Sequence, residues 1–131
     1  AGLALPINAS AADRAAVSCS VAIDYSLSGG APELYRKDFV VEPGASFVDD
    51  FSTPLRQKQF TASAAREAGN LVVSIDYFND VGVFHAVGFN TRLTLRDGRN
   101  IDSTAGSNTF STSIGVPGNH RTNYTLSCRR T

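Results

Sequence analysis

The chain has 131 residues, twelve Lys plus Arg against twelve Asp plus Glu, two cysteines, no Trp and no Met. At this length one domain buries roughly two thirds of its unfolded surface, so a full core forms without metals. Zero net charge supplies no long-range field for a polyanion, and no apolar run approaches the ~20 residues that cross a bilayer, which argues against nucleic-acid partners and membrane insertion.

Residues 1–16 read as an arm rather than a linker, since Gly, Ser and charge are sparse there. Leu3, Leu5, Ile7, Ala9 and Ala11 share one parity, the alternation of a strand, and Pro6 on the other parity suits an edge position. Two arrangements are open. The arm packs along its own domain, with Ser10 and Asp13 capping a short helix over 10–16, or it adds as a strand to a neighbouring subunit with Leu3, Leu5 and Ile7 as anchors.

Residues 17–131 form the expected domain. Val17, Cys19, Val21, Ile23 and Tyr25 alternate on one face, as do Thr122, Tyr124, Leu126 and Cys128 near the end. Both cysteines therefore point into the same apolar interior, and one disulfide, Cys19 to Cys128, is expected between the first and last strands. Closing a loop of roughly 110 residues is worth about 4.7 kcal/mol in unfolded-state entropy, and such a bond implies an oxidising compartment. A start at Ala1 with no methionine fits export through a cleaved signal peptide.

Between these ends the turn cluster Ser28-Gly29-Gly30-Ala31-Pro32 precedes a strand over 34–41, and Glu42-Pro43-Gly44 reads as a tight turn into 45–52. Phe47 and Phe51 share a face, and the two stretches are expected to form a hairpin. Residues 53–69 are ambiguous. Thr53, Pro54 and Gly69 match helix-end signals, but Phe60, Ala62 and Ala64 alternate with Gln59, Thr61 and Ser63, which favours a strand ending near Ala64 and a turn through 66–70.

Leu71, Val73, Ile75 and Tyr77 then alternate up to an expected turn at Asn79-Asp80-Val81-Gly82. Val83, His85, Val87, Phe89, Thr91, Leu93 and Leu95 hold one parity for longer than strands usually run, so a bulge at Gly88 or a passage between sheets is expected. Asp97-Gly98 signals a type I′ turn, followed by strands over 108–114 and 121–129. The sum is an all-β fold: an antiparallel β-sandwich, Ig-like or jelly-roll-like, of seven or eight strands with one disulfide and an extended N-terminal arm.

Chemistry is sparse. His85 reads as a half-buried sheet residue and His120 as a residue of the solvated turn Gly118-Asn119-His120; no Gly-x-Ser-x-Gly elbow or phosphate loop occurs. Asp49 and Asp50 face opposite sides of a strand and cannot act as a catalytic pair. Together with Asp76 and Asp80 they read as solvated turn acids before they read as calcium ligands. Arg92, Arg96, Arg121, Arg129 and Arg130 read as solvated faces, and Lys37, Arg56 and Lys58 as edge-strand protection. Two sequons, at Asn8 and Asn123, are within chance for a Ser/Thr-rich chain. The expectation is no catalytic residue, no metal and no cofactor.

In layout the chain is loosely similar to subunits of surface fibres assembled by donor-strand exchange: exported, disulfide-bonded, Met-free β-sandwiches with an alternating N-terminal arm. The similarity covers architecture and the first eleven residues. Tyr124 and the terminal Arg129-Arg130-Thr131 depart from the C-terminal strand of the chaperone-dependent families. What the resemblance implies is a non-enzymatic, self-assembling subunit of an extracellular, pilus-like filament. A secreted or periplasmic binding module, such as a hydrolase inhibitor or carbohydrate-binding domain acting through loops 49–54, 79–82 and 115–119, is the alternative, and a viral coat protein a weaker one.

Overall fold

The computed structural model describes residues 16–82, 85–113 and 117–131, with His85 described by its backbone alone. The arm residues Leu3, Leu5 and Ile7 and the helix over 10–16 therefore lie outside the described residues, apart from Ala16. Eight strands follow in order: β1 (Val17–Leu27), β2 (Glu33–Val41), β3 (Ser46–Asp50), β4 (Lys58–Glu67), β5 (Asn70–Gly82), β6 (His85–Leu95), β7 (Ile101–Thr112) and β8 (Gly118–Arg130). They form two four-stranded antiparallel sheets, ordered β2-β1-β8-β7 and β3-β4-β5-β6.

This is the expected β-sandwich. Its strand order is a meander: each strand neighbours its sequence neighbours, and β8 closes on β1, unlike the Greek-key order of Ig-like and jelly-roll sandwiches. The ladder is interrupted only at the β2/β3 and β6/β7 corners, where the chain passes from one sheet to the other.

The alternating residues supply the core. Val17, Cys19, Val21 and Ile23 of β1 meet Leu126 and Cys128 of β8 on one inner face; Phe60, Ala62, Leu71, Val73, Ile75 and Leu95 line the other. Cys19 pairs directly with Cys128 across the β1–β8 ladder, and the two are disulfide-bonded. The bond thus clamps the two central strands of one sheet rather than tying one sheet to the other.

The hairpin expected from 34–41 and 45–52 does not form. Glu42-Pro43-Gly44 does turn the chain, with Ala45 N–H donating to the Glu42 carbonyl (2.9 Å) and Gly44 at φ +86°. The turn instead delivers β3 to the other sheet, where it pairs with β4. Phe39 stacks on Phe47 at 5.4 Å and Tyr35 on Phe51 at 4.5 Å across the interior. Alternation assigns a face to each residue but not a ladder, and aromatic contact across the core replaces backbone pairing here.

Three further boundaries differ. The strand favoured for 53–69 is present but runs on to Glu67, and Ala68 and Gly69, both at positive φ, make the two-residue turn into β5. β5 does not turn at Asn79: Asn79 pairs with Val87 and Asp80 with Ala86, and the register shift falls between Asp80 and Gly82. Gly88 sits in regular register opposite Phe78, so the bulge expected there is absent. At Asp97-Gly98 only Gly98 has positive φ (+85°), so the turn is not type I′; it carries the chain between sheets, from β6 to β7.

Candidate functional site: the sandwich end and the sheet edges

The densest polar constellation sits where β2, β4, β5 and the β3–β4 loop meet at one end of the sandwich. Arg56, on the loop between β3 and β4, donates from Nε to the Asp80 carbonyl (2.7 Å) and from a terminal nitrogen to Asn79 Oδ1 (2.7 Å) and both Glu33 oxygens (3.1 Å each). Lys58 Nζ lies 3.4 Å from Glu33, and Asn79 Nδ2 donates to Tyr77 Oη at 3.2 Å. Glu33 belongs to one sheet and Asn79 to the other, so Arg56 pins the sheets together. Arg56 is thus a cross-sheet tie, not the edge-strand guard expected from the sequence.

Electrostatics follow from this packing. Burial alone would raise the Glu33 carboxyl, but the charges of Arg56 and Lys58 and the hydrogen bonds from Arg56 and Asn79 outweigh it, and the pKa lies below the ordinary value. Burial raises the phenols of Tyr25 and Tyr77. Burial, and then a hydrogen bond to Asp49 at 2.7 Å, raises Tyr35 further.

His120 is not in a solvated turn. It lies in β8, fully buried, with Nδ1 2.8 Å from Tyr25 Oη and Nε2 2.9 Å from Thr112 Oγ1, its ring stacked on Phe110 at 4.4 Å and 3°. With both ring nitrogens within hydrogen-bond distance of a hydroxyl, its geometry is that of a satisfied buried histidine. The signal was present: His120 shares parity with Thr122, Leu126 and Cys128, just as Asn79 shares parity with Ile75 and Tyr77.

The acidic residues are dispersed. Asp49 is engaged by Tyr35 and Lys37, Asp50 accepts from Ser52 N–H, and Asp76 and Asp80 are on β5. Among the described residues no group of three or more His, Cys, Asp or Glu side chains is placed to hold a metal ion. Arg92 pairs with Glu67 at 2.9 Å, and Arg130 donates to the carbonyls of Leu95, Arg96 and Arg99, tying the end of β8 to the β6–β7 connection.

The loops proposed as contacts divide. Residues 79–82 are strand, and 114–116 lie outside the described residues. Of residues 49–54, Asp49 and Asp50 are in β3; the loop that follows, 51–57, carries a tight turn, with paired hydrogen bonds between Thr53 and Arg56, that presents Leu55, just beyond that range, at 92% exposure. Beside it a concavity of about 400 Å³ is lined by Tyr25, Leu27, Glu33, Arg56 and Asp80. Among the described residues the sheet edges are β2, β7, β3 and β6. No protein-family model matches the chain, and no curated protein is similar to it.

Proposed function

We propose that this protein is a non-enzymatic, exported structural subunit that self-assembles into an extracellular filament, adding its N-terminal segment as a strand to a neighbouring copy through Leu3, Leu5 and Ile7. The supporting observation is where the disulfide lies. Cys19–Cys128 locks β1 and β8 together at the centre of their sheet, so neither can leave to swap between copies. Assembly is left to the sheet edges, and the chain carries ahead of Ala16 a segment with strand alternation. The disulfide is compatible with an oxidising, extracellular compartment.

The test is particle size. Light scattering and negative-stain microscopy should show filaments for the intact chain and single subunits when Leu5 is changed to Asp, which places an unpaired carboxylate in an apolar pocket. Particles of one small size in both samples would refute the proposal.

A second reading, a secreted binding module such as a hydrolase inhibitor, is favoured by the exposure of Leu55 on a hydrogen-bonded turn. It predicts inhibition of at least one extracellular endopeptidase with an apolar specificity pocket, abolished by Leu55→Ser. Absence of inhibition across such enzymes would remove it.

A further inference from the structure

The four edges are not equally guarded. Edge strands normally carry charges, proline or short length to prevent pairing with another chain. β2 has Glu33, Arg36, Lys37 and Asp38 in nine residues, β3 is five residues long with Asp49 and Asp50, and β6 carries Arg92. β7 has twelve residues and one charge, Asp102, near its start; from Ser103 to Thr112 it holds neither a charge nor a proline, the longest such run on these edges.

The two corners differ as well. At β2/β3 the stacks Phe39–Phe47 and Tyr35–Phe51 and the clasp of Lys37 and Tyr35 on Asp49 seal the gap. At β6/β7 the inward side of β7 offers the small or polar Thr104, Gly106 and Asn108, and three half-buried rings, Phe89, Phe110 and Tyr124, border it. Tyr124 reaches across the gap only because Gly106 has no side chain: a Cβ there would lie 2.6 Å from the ring. It stacks on Phe89 at 4.6 Å and donates to Thr91 Oγ1. Among the described residues, nothing pairs with the outer edge of β7.

We infer that the β7 edge, at the β6/β7 corner, is the acceptor for the N-terminal arm of a second copy of this chain. The inference rests on the filament reading above and names its docking surface. A strand beside β7 takes up its unpaired backbone groups and turns one parity of side chains towards Phe89, Phe110 and Tyr124. Leu3, Leu5 and Ile7 are apolar and share one parity, so a strand carrying them sets apolar side chains against the exposed parts of these rings. The fifteen residues ahead of Ala16 span about 50 Å when extended, against about 40 Å for β7.

The experiment uses the full chain in four forms: wild type, Leu5→Asp, Asn108→Lys and Val40→Lys. Asn108 is exposed on the corner side of β7, whereas Val40, 60% exposed on β2, serves as the control edge. Assembly is read by light scattering, folding by circular dichroism, and pairing by amide hydrogen exchange. Assembly should vanish in Leu5→Asp and Asn108→Lys and persist in Val40→Lys, and β7 amides should exchange at least about tenfold more slowly in assembled wild type than in the Leu5→Asp subunit. Assembly retained by folded Asn108→Lys, or slowing confined to β2, β3 or β6, overturns the β7 assignment while the arm reading stands. A wild-type chain that stays single, or assembly that survives Leu5→Asp, removes the arm reading itself. Slow β7 amides in a single subunit would show pairing within one chain and overturn the inference.

Discussion

Replacing Arg56 with Ala tests whether the sandwich end is held by this one side chain. The substitution removes donors from the Asp80 carbonyl, Asn79 Oδ1 and both Glu33 oxygens. Asn79 is fully buried, so losing its partner costs about 1–3 kcal/mol. The Glu33 side chain is 37% exposed, and solvent screening limits the ion-pair share to about 1 kcal/mol. With the carbonyl bond at about 1 kcal/mol, the loss totals roughly 3–5 kcal/mol.

Urea unfolding of the oxidised protein, followed by circular dichroism because the chain has no Trp, measures this directly. The effect also carries a pH signature. The folded Glu33 pKa lies below its ordinary value of 4.5, so the stabilisation is present above that value and is lost as pH falls through the folded pKa. Arg56→Ala should therefore be most damaging near neutral pH, with the gap from wild type narrowing in acid. A loss under about 0.5 kcal/mol at pH 7, or a gap that widens in acid, would refute the cross-sheet role of Arg56.

Other outcomes follow from the same structure. The phenols of Tyr25, Tyr35 and Tyr77 are raised above 10.0, so their neutral forms persist in the folded state; the linked stability is complete below pH 10 and is lost as pH rises through the folded values. Tyrosinate absorbance titrated in native protein should lag that in urea, and coincident curves would contradict the burial of these rings. Intact mass should be unchanged by alkylation without reductant and should rise by two adducts after reduction, with a stability loss of about 2–5 kcal/mol; two thiols labelled in native protein would disprove the Cys19–Cys128 bond. Gly106→Val should displace Tyr124 from Phe89 and cost about 1–3 kcal/mol in urea unfolding, and a neutral result would show that the corner repacks freely.

Period-2 patterning identified most strands because burial on one face imposes it wherever a strand lies on a core. From Val17 to Tyr25 and from Leu71 to Tyr77 the odd-numbered residues follow the pattern and are buried. Edge strand β7 is legible only in its second half: its inward positions Thr104, Gly106 and Asn108 carry no apolar signal, and Tyr124 from β8 covers Gly106. The polar centre at the sandwich end was missed for a different reason. Glu33, Arg56 and Asn79 are 23 to 46 residues apart, and each alone resembles a surface polar residue. Asn79 and His120 lie on buried parities, and local turn propensity competes with that signal at both positions.

The sequence by itself determined the all-β class, the inward face of most strands and the cysteine pairing, because alternation and a single pair of inward thiols depend only on local geometry and composition. Which strands share a sheet was decided by tertiary structure alone. A turn such as Glu42-Pro43-Gly44 serves equally to close a ladder or to cross a core, and the crossing is accompanied by the contacts of Phe39 with Phe47 and of Arg56 with Glu33 and Asn79 between the sheets.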